Sequence, residues 1–290
     1  MPVLSKSDMD MLVLSSFQSW REALPLDGKP VPVHFVPTMG ALHAGHGALI
    51  RTARQKAGDR GHVVVSVYVN PTQFHDASDL SAYPRTQDAD AALAKRFGAD
   101  AVVFPTSKEM YPEGVPARAA VSDYGALTQC WEAAHRPGHF DGVVAVVRML
   151  FEATKPTHAY FGEKDWQQLA VIRRLAKLDF PALGIVAVPT VREPDGLAMS
   201  SRNARLSELE RRGATALHSA LNAVVQSGGD GSEVDAQRAR LNALGFRVEY
   251  LEVVDAETLD PGLAPSRDGR VIVAAHWGGV RLIDNVPLAG

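Results

Sequence analysis

Two histidines three residues apart carry the strongest chemical signal in this chain. They are His43 and His46, in the run Pro37-Thr38-Met39-Gly40-Ala41-Leu42-His43-Ala44-Gly45-His46. The run follows an extended segment, Val31–Val36, and precedes residues with helical spacing. A strand, a glycine-bearing turn and a helix start in succession offer backbone N–H groups and a helix dipole, a setting that suits a phosphate. Gly40 and Gly45 permit close approach of a ligand to the backbone. The same run also fits a tight βα turn whose histidines cap and pack.

Further chemistry-bearing residues follow other strand-like segments. Asn70 and Gln73, in Val69-Asn70-Pro71-Thr72-Gln73-Phe74, both donate and accept hydrogen bonds, which suits a hydroxylated substrate; an Asn-Pro turn with a solvated Gln is the alternative. Asp88 and Asp90 open a helix after Tyr83-Pro84-Arg85-Thr86. There they complement the helix dipole or meet a hard cation such as Mg²⁺ bound with a phosphate. His135-Arg136-Pro137-Gly138-His139-Phe140 reads as a loop with two imidazoles and a guanidinium, or as a plain surface turn. Lys164, beside a strand end in Phe161-Gly162-Glu163-Lys164-Asp165, is a natural phosphate ligand, with Glu163 and Asp165 as possible helix caps. Ser200-Ser201-Arg202 can hold phosphate oxygens or start a helix. No Cys or Ser nucleophile dyad accompanies these groups. The inventory therefore suits electrostatic stabilisation of a phosphoryl or nucleotidyl centre more than covalent catalysis. No Gly-x-Gly-x-x-Gly follows the first strand and no P-loop is present, which argues against a dinucleotide-dependent hydride transfer or a P-loop enzyme.

The elements that must position these residues alternate over the first two thirds. Strand-like runs are Val33–Val36, His62–Val69, Ala101–Phe104, His158–Phe161 and Gly184–Val188. Between them lie helical candidates, His46–Gln55, Thr86–Phe97, Phe140–Thr154 and Asp165–Leu178. The run from Val63 to Val69 is nearly unbroken and β-branched, as in a strand covered on both faces of a parallel sheet. Val143, Val146, Val147, Leu150 and Phe151 form one helix face. This predicts a doubly wound, Rossmann-like α/β domain over 1–188 with its ligand at the carboxyl ends of the strands. After about residue 190 the pattern changes. Ser207–Gln226 reads as one helix with a Ser207/Glu210 capping box, and Glu233–Leu244 as another. Phe246–Val254, Val271–Trp277 and Val280–Ile283 read as strands, with a hairpin at Gly278-Gly279. A smaller α+β domain over 189–290 is expected.

Composition narrows the class. Thirty basic and 33 acidic residues give a formal charge of −3, with no basic block of the kind that binds nucleic acid. Cys130 is the only cysteine, so an internal disulfide is excluded. Met1–Trp20 has charges every few residues and reads as neither signal peptide nor anchor. No segment approaches the roughly 20 apolar residues of a membrane span. A cytoplasmic protein with no membrane and no nucleic-acid partner is expected.

Together, Pro37–His46, Val69–Phe74 with Tyr83–Thr86, Arg136–Phe140, Tyr160–Gln168 and Pro189–Asn203 resemble the pantothenate synthetase (pantoate–β-alanine ligase) family. That family lies within the nucleotidyltransferases that bear His-x-Gly-His. Tyr250–Asp255 and Arg281–Asn285 match its second domain. The resemblance implies ATP-dependent condensation of (R)-pantoate with β-alanine through an enzyme-bound pantoyl adenylate, with Mg²⁺, in a homodimer. It implies that His43 and His46 contact ATP phosphates and that Lys164 stabilises charge developing there. Met39, Gly162, Asp165, Val191 and Met199 belong by resemblance to the ATP site. Ser200, Ser201 and Arg202 belong to a loop closing on the triphosphate. Gln73 and Gln168 hold pantoate, with Asn70 and Thr38 beside them. Asp90 and then Asp88 are the implied metal residues. Arg136 and His139 resemble residues on the acyl-transfer side. Three departures stand out: Ala44 replaces a common acid, Asp141 a common basic residue, and Ala89 shortens the acidic cluster. The alternatives are a nucleotidyltransferase without the acyl-transfer step, or a non-catalytic nucleotide-binding protein.

Overall fold

Val63, Val64, Val65 and Ser66 are all fully buried, as a central strand of a parallel sheet requires. The computed structural model describes residues 11–24, 30–74, 80–116, 119–120, 122–260 and 268–288; the first ten residues of the expected leader-free segment lie outside them. Six parallel strands form one sheet: β1 (Leu12–Leu14), β2 (Val33–Thr38), β3 (His62–Val67), β4 (Ala101–Val103), β5 (His158–Gly162) and β6 (Gly184–Val188). Their order is β1-β4-β3-β2-β5-β6. The chain winds outward from β2 through β3 to β4, then outward again from β5 to β6. The β2/β5 junction is thus the topological switch point, the place where open α/β sheets bind ligands. There β2 and β5 pair only at His34↔His158 and Phe35↔Ala159.

The helices of this sheet include α1 (Phe17–Glu22), α2 (Ala44–Ala57), α3 (Gln87–Arg96), α4 (His139–Thr154) and α5 (Trp166–Asp179). The apolar face expected in α4 is the buried one: Val143, Val146, Val147, Leu150 and Phe151 are each at most 5% exposed. Leu49, Ile50 and Ala53 of α2 pack with Val36, Val63, Val65 and Val102 in one core. The edge strand β1 and helix α1 are additions to the expected elements. β1 has only three residues, too few for a period to show, although Phe17 and Trp20 are both 1% exposed at helical spacing.

A separate antiparallel sheet, β7 (Arg247–Asp255), β8 (Gly269–Trp277) and β9 (Val280–Pro287), lies with α6 (Glu208–Gly213), α7 (Ala216–Gln226) and α8 (Gly231–Ala243). Leu217, Leu221, Val224, Leu241, Leu251, Val271 and Val273 form its core. The single helix expected over Ser207–Gln226 is two helices. Its capping box is present, but the chain breaks at Ala214–Thr215. Trp277 accounts for this: its indole Nε1 donates to the Glu210 carbonyl at 2.7 Å, and a Cβ on Gly213 would lie 2.5 Å from its ring. The chain divides into two compact units. The first holds the parallel sheet and takes the chain up to Ser122 with Gly138–Gly162 and Ile172–Val188. The second holds the antiparallel sheet and takes Pro189 onward together with Asp123–Pro137 and Glu163–Val171.

Candidate active site

In the first unit, β2 ends at Thr38 and the chain turns into α2 through Met39–His43. Gly40 has φ +89° and Ala41 φ +49°, so two consecutive residues are left-handed. The Thr38 hydroxyl donates to the Ser66 carbonyl at 2.8 Å and accepts from Gly40 N–H at 3.3 Å. α2 begins at Ala44, two residues earlier than the apolar spacing suggests, because the histidines themselves cap it. His43 Nδ1 accepts from Gly45 N–H at 3.1 Å, and His46 Nδ1 accepts from His43 N–H at 3.2 Å. An imidazole nitrogen that accepts carries no proton, so both neutral rings hold theirs on Nε2. The ring centroids are 4.2 Å apart. The N–H groups of Gly40, Ala41, Leu42, His43 and Gly45 all bond to side chains of this unit. The expectation that those backbone donors serve an anion is therefore revised. The imidazole Nε2–H groups are the donors that suit one.

Asp90 supplies two of those partners. Its carboxylate accepts from Leu42 N–H at 2.7 Å, Ala41 N–H at 3.2 Å and the Thr86 hydroxyl at 3.2 Å, and it is 1% exposed. Asp88, two residues earlier in α3, is exposed. Asp90's oxygens face N–H and O–H donors and are buried, while the Asp88 carboxylate is in solvent. Among the described residues no three His, Cys, Asp or Glu side chains gather as a metal set.

Gln73 and Asn70 are buried, not solvated, at 7% and 1% exposed. The Asn70 amide donates to the Gly142 carbonyl at 3.1 Å and to Gln73 Oε1 at 3.2 Å; its oxygen accepts from the Tyr111 hydroxyl at 2.7 Å. Asn70 thus holds Gln73 in place. Gln73 Nε2 points to the Met39 sulfur at 2.9 Å, and the Gln73 carbonyl accepts from His139 Nδ1 at 2.8 Å. Gly162 closes β5 with open space where a Cβ would lie.

In the second unit, Lys164 and Asp165 lie in a short turn before α5, with Nζ 3.4 Å from Asp165 Oδ1. Asn285 donates to the carbonyls of Glu163 and Lys164, and Arg270 pairs with Glu163 at 2.8 Å. Burial raises the Asp165 carboxyl, but the Lys164 and Arg202 cations outweigh it and hold it below the ordinary range. Ser200 caps the Ser201–Arg205 turn by accepting from Arg202 N–H at 3.3 Å, and Met199 N–H bonds to the Val191 carbonyl at 3.0 Å. Gln168, in the first turn of α5, is half-buried, while its neighbour Gln167 is buried.

Sequence reasoning missed the carboxylate that organises this unit. Glu132 receives Arg281 through two bonds of 2.6 and 2.7 Å and the Tyr250 hydroxyl at 2.5 Å. Burial opposes its ionisation, yet Arg281 and Tyr250 hold it down to about 2. Burial lowers the Arg136 guanidinium to about 10; Glu132 opposes the fall and Arg202 adds to it. Nothing in local sequence joins positions 132, 250 and 281, so no spacing rule finds them.

A family model described as pantoate-beta-alanine ligase matches residues 12–287. A pantothenate synthetase of Thermus thermophilus is 47% identical over 282 residues, covering 95% of this chain and 99% of that one. One of Bdellovibrio bacteriovorus is 45% identical over 275 residues, covering 94% and 97%. A crystal structure of pantothenate synthetase from Thermus thermophilus superposes with a TM-score of 0.86 at 45% identity, covering 97% of this chain and all of that one. The pantoate-beta-alanine ligase of Francisella tularensis, complexed with beta-gamma ATP and beta-alanine, gives 0.80 at 32% identity, covering 96% and 98%.

Proposed function

The chain belongs to the pantoate–β-alanine ligase family, and we infer that it joins (R)-pantoate to β-alanine, driven by ATP. The pantoate carboxylate attacks the α-phosphorus of ATP, forming pantoyl adenylate and releasing pyrophosphate. The β-alanine amine then attacks the acyl carbon, forming the amide and releasing AMP. Neither step needs a protein nucleophile. Both need reactants held in line and negative charge stabilised as it builds.

The histidine pair carries this reading. Two rings whose Nδ1 atoms accept backbone N–H groups carry their proton on Nε2, the donor chemistry that a phosphate oxygen takes. We assign His43 and His46 to the triphosphate and Lys164 to the charge developing at the leaving pyrophosphate. Ser200, Ser201 and Arg202 share the phosphate oxygens, while Met39, Gly162, Asp165, Val191 and Met199 complete the nucleotide site. Gln73 and Gln168 orient pantoate through its hydroxyls, leaving its carboxylate to react. The Gln73 amide donates to a thioether, a weak acceptor that a substrate hydroxyl displaces. Thr38 and Asn70 act by fixing the turn and Gln73. Mg²⁺ enters with the triphosphate as part of the substrate. A cytoplasmic homodimer is part of the same proposal, checked by light scattering and fractionation.

The direct test mixes protein, Mg-ATP, D-pantoate and β-alanine and measures pantothenate and AMP. AMP release that ignores β-alanine would favour a nucleotidyltransferase without acyl transfer. Lys164→Ala is expected to lower pantoate-dependent ATP–pyrophosphate exchange by roughly 10²–10³; an unchanged rate removes Lys164 from the mechanism. Gln73→Ala and Gln168→Ala are each expected to weaken pantoate use by about 1–3 kcal/mol with little change toward ATP. Equal defects toward both substrates would count against a pantoate role.

A further inference from the structure

We infer that Asp90 is the positioning residue of the phosphate-binding turn, holding the left-handed Gly40–Ala41 backbone and the following Leu42 N–H that set His43 and His46. This rests on the reading of that turn as the ATP phosphate site. Left-handed backbone is strained for any residue with a Cβ, and Ala41 adopts it at φ +49°. Something must hold it there. Asp90 takes the N–H of Ala41 and of Leu42, one on each oxygen, and Thr86 donates to it from the start of α3. The Thr86 side chain makes no cap to its own helix. The fit is close from the other side also: a Cβ on Gly40 would lie 3.0 Å from Asp90 Oδ2 and 3.0 Å from Val67. Charge-assisted N–H bonds to a buried carboxylate are the stronger kind. A cation at Asp90 would compete with those donors for the same lone pairs. His43 follows the clamped segment directly and begins the histidine capping box. A turn released at Ala41 and Leu42 therefore shifts both rings.

The experiment compares Asp90→Asn with the parent enzyme. Asn presents one acceptor oxygen, so one of the two N–H bonds is lost. Pantoate-dependent ATP–pyrophosphate exchange is expected to fall on the order of tenfold or more in kcat. The Mg²⁺ concentration giving half the maximal rate is expected to stay unchanged. Ala41→Gly added to Asp90→Asn is expected to recover several-fold of the loss, because glycine removes the strain the carboxylate was holding. Amide hydrogen exchange without nucleotide reads the clamp directly. Ala41 and Leu42 amides are expected to be protected in the parent enzyme and about tenfold or more faster in Asp90→Asn. A loss that excess Mg²⁺ abolishes, or an unaltered kcat, overturns the inference. If Asp90→Asn does not fold, rapid exchange of both amides in the parent enzyme overturns it instead. His46→Ala separates the two levels: full exchange activity in that variant would strike the phosphate reading, whereas amide protection tests the clamp alone.

Discussion

His43 and His46 accept through Nδ1 whereas His139 donates through Nδ1 to the Gln73 carbonyl, so three imidazoles near one sheet are set in two tautomers by backbone partners. This allows each function of a ring to be removed separately. Asn places an acceptor where Nδ1 lies; Gln places a donor near Nε2. His46→Asn is expected to unfold at the parent temperature but lose about 10²–10³ of adenylate formation, while His46→Gln keeps more activity and loses about 1 kcal/mol of helix capping. Thermal unfolding and pyrophosphate exchange measured side by side decide it; an Asn variant more active than Gln would reverse the assignment. The identity of these residues was legible in sequence because His-x-Gly-His sits at a strand–turn–helix junction. Their tautomers were not, since those follow from which N–H each ring meets in space.

Helix α4 approaches the Pro71–Gln73 turn through Gly142, where a Cβ would lie 2.5 Å from the Thr72 carbonyl oxygen and 2.7 Å from Gln73 N. Both neighbours are backbone and cannot swing aside. Gly142→Ala is therefore expected to cost about 1–3 kcal/mol of stability. It is also expected to raise KM for pantoate more than KM for ATP, because Gln73 moves with the turn. A variant with parental kinetics would show that the turn tolerates displacement. The helix itself was legible from the period of Val143 to Phe151. The glycine's packing was not, because it is set by a turn some seventy residues earlier. The same limit explains α6 and α7, which read as one helix until Trp277 is brought against Gly213.

At the scale of the whole chain, alternating β and α segments made the doubly wound sheet legible, and the hairpin strands after residue 240 made the antiparallel one so. The grouping of 123–137 and 163–171 with the second unit was not legible, because it depends on side chains meeting across more than a hundred positions. Glu132 is the clearest of these, tying its segment to β7 and β9 through Tyr250 and Arg281. Its carboxyl falls from 4.5 to about 2 on folding. A lowered carboxyl stabilises fully above the unfolded value and loses that contribution as pH falls through the folded one. Here that window runs from about pH 4.5 to 2 and holds about 3 kcal/mol. Glu132→Gln is expected to lose about 3 kcal/mol at pH 7, by removing one of the two carboxylates that pair with Arg281, the other being Glu249, and to flatten the acid limb. Denaturant unfolding across that range checks it, and an acid limb as steep as the parent's would acquit Glu132. The tryptophans follow the same division of the chain. Trp20, 1% exposed with its indole on His62, belongs to the first unit, while Trp131, Trp166 and Trp277 belong to the second. A Trp20→Phe difference spectrum therefore isolates the emission of the parallel-sheet unit. Each half of the enzyme can then be followed optically during nucleotide binding, with no dye attached.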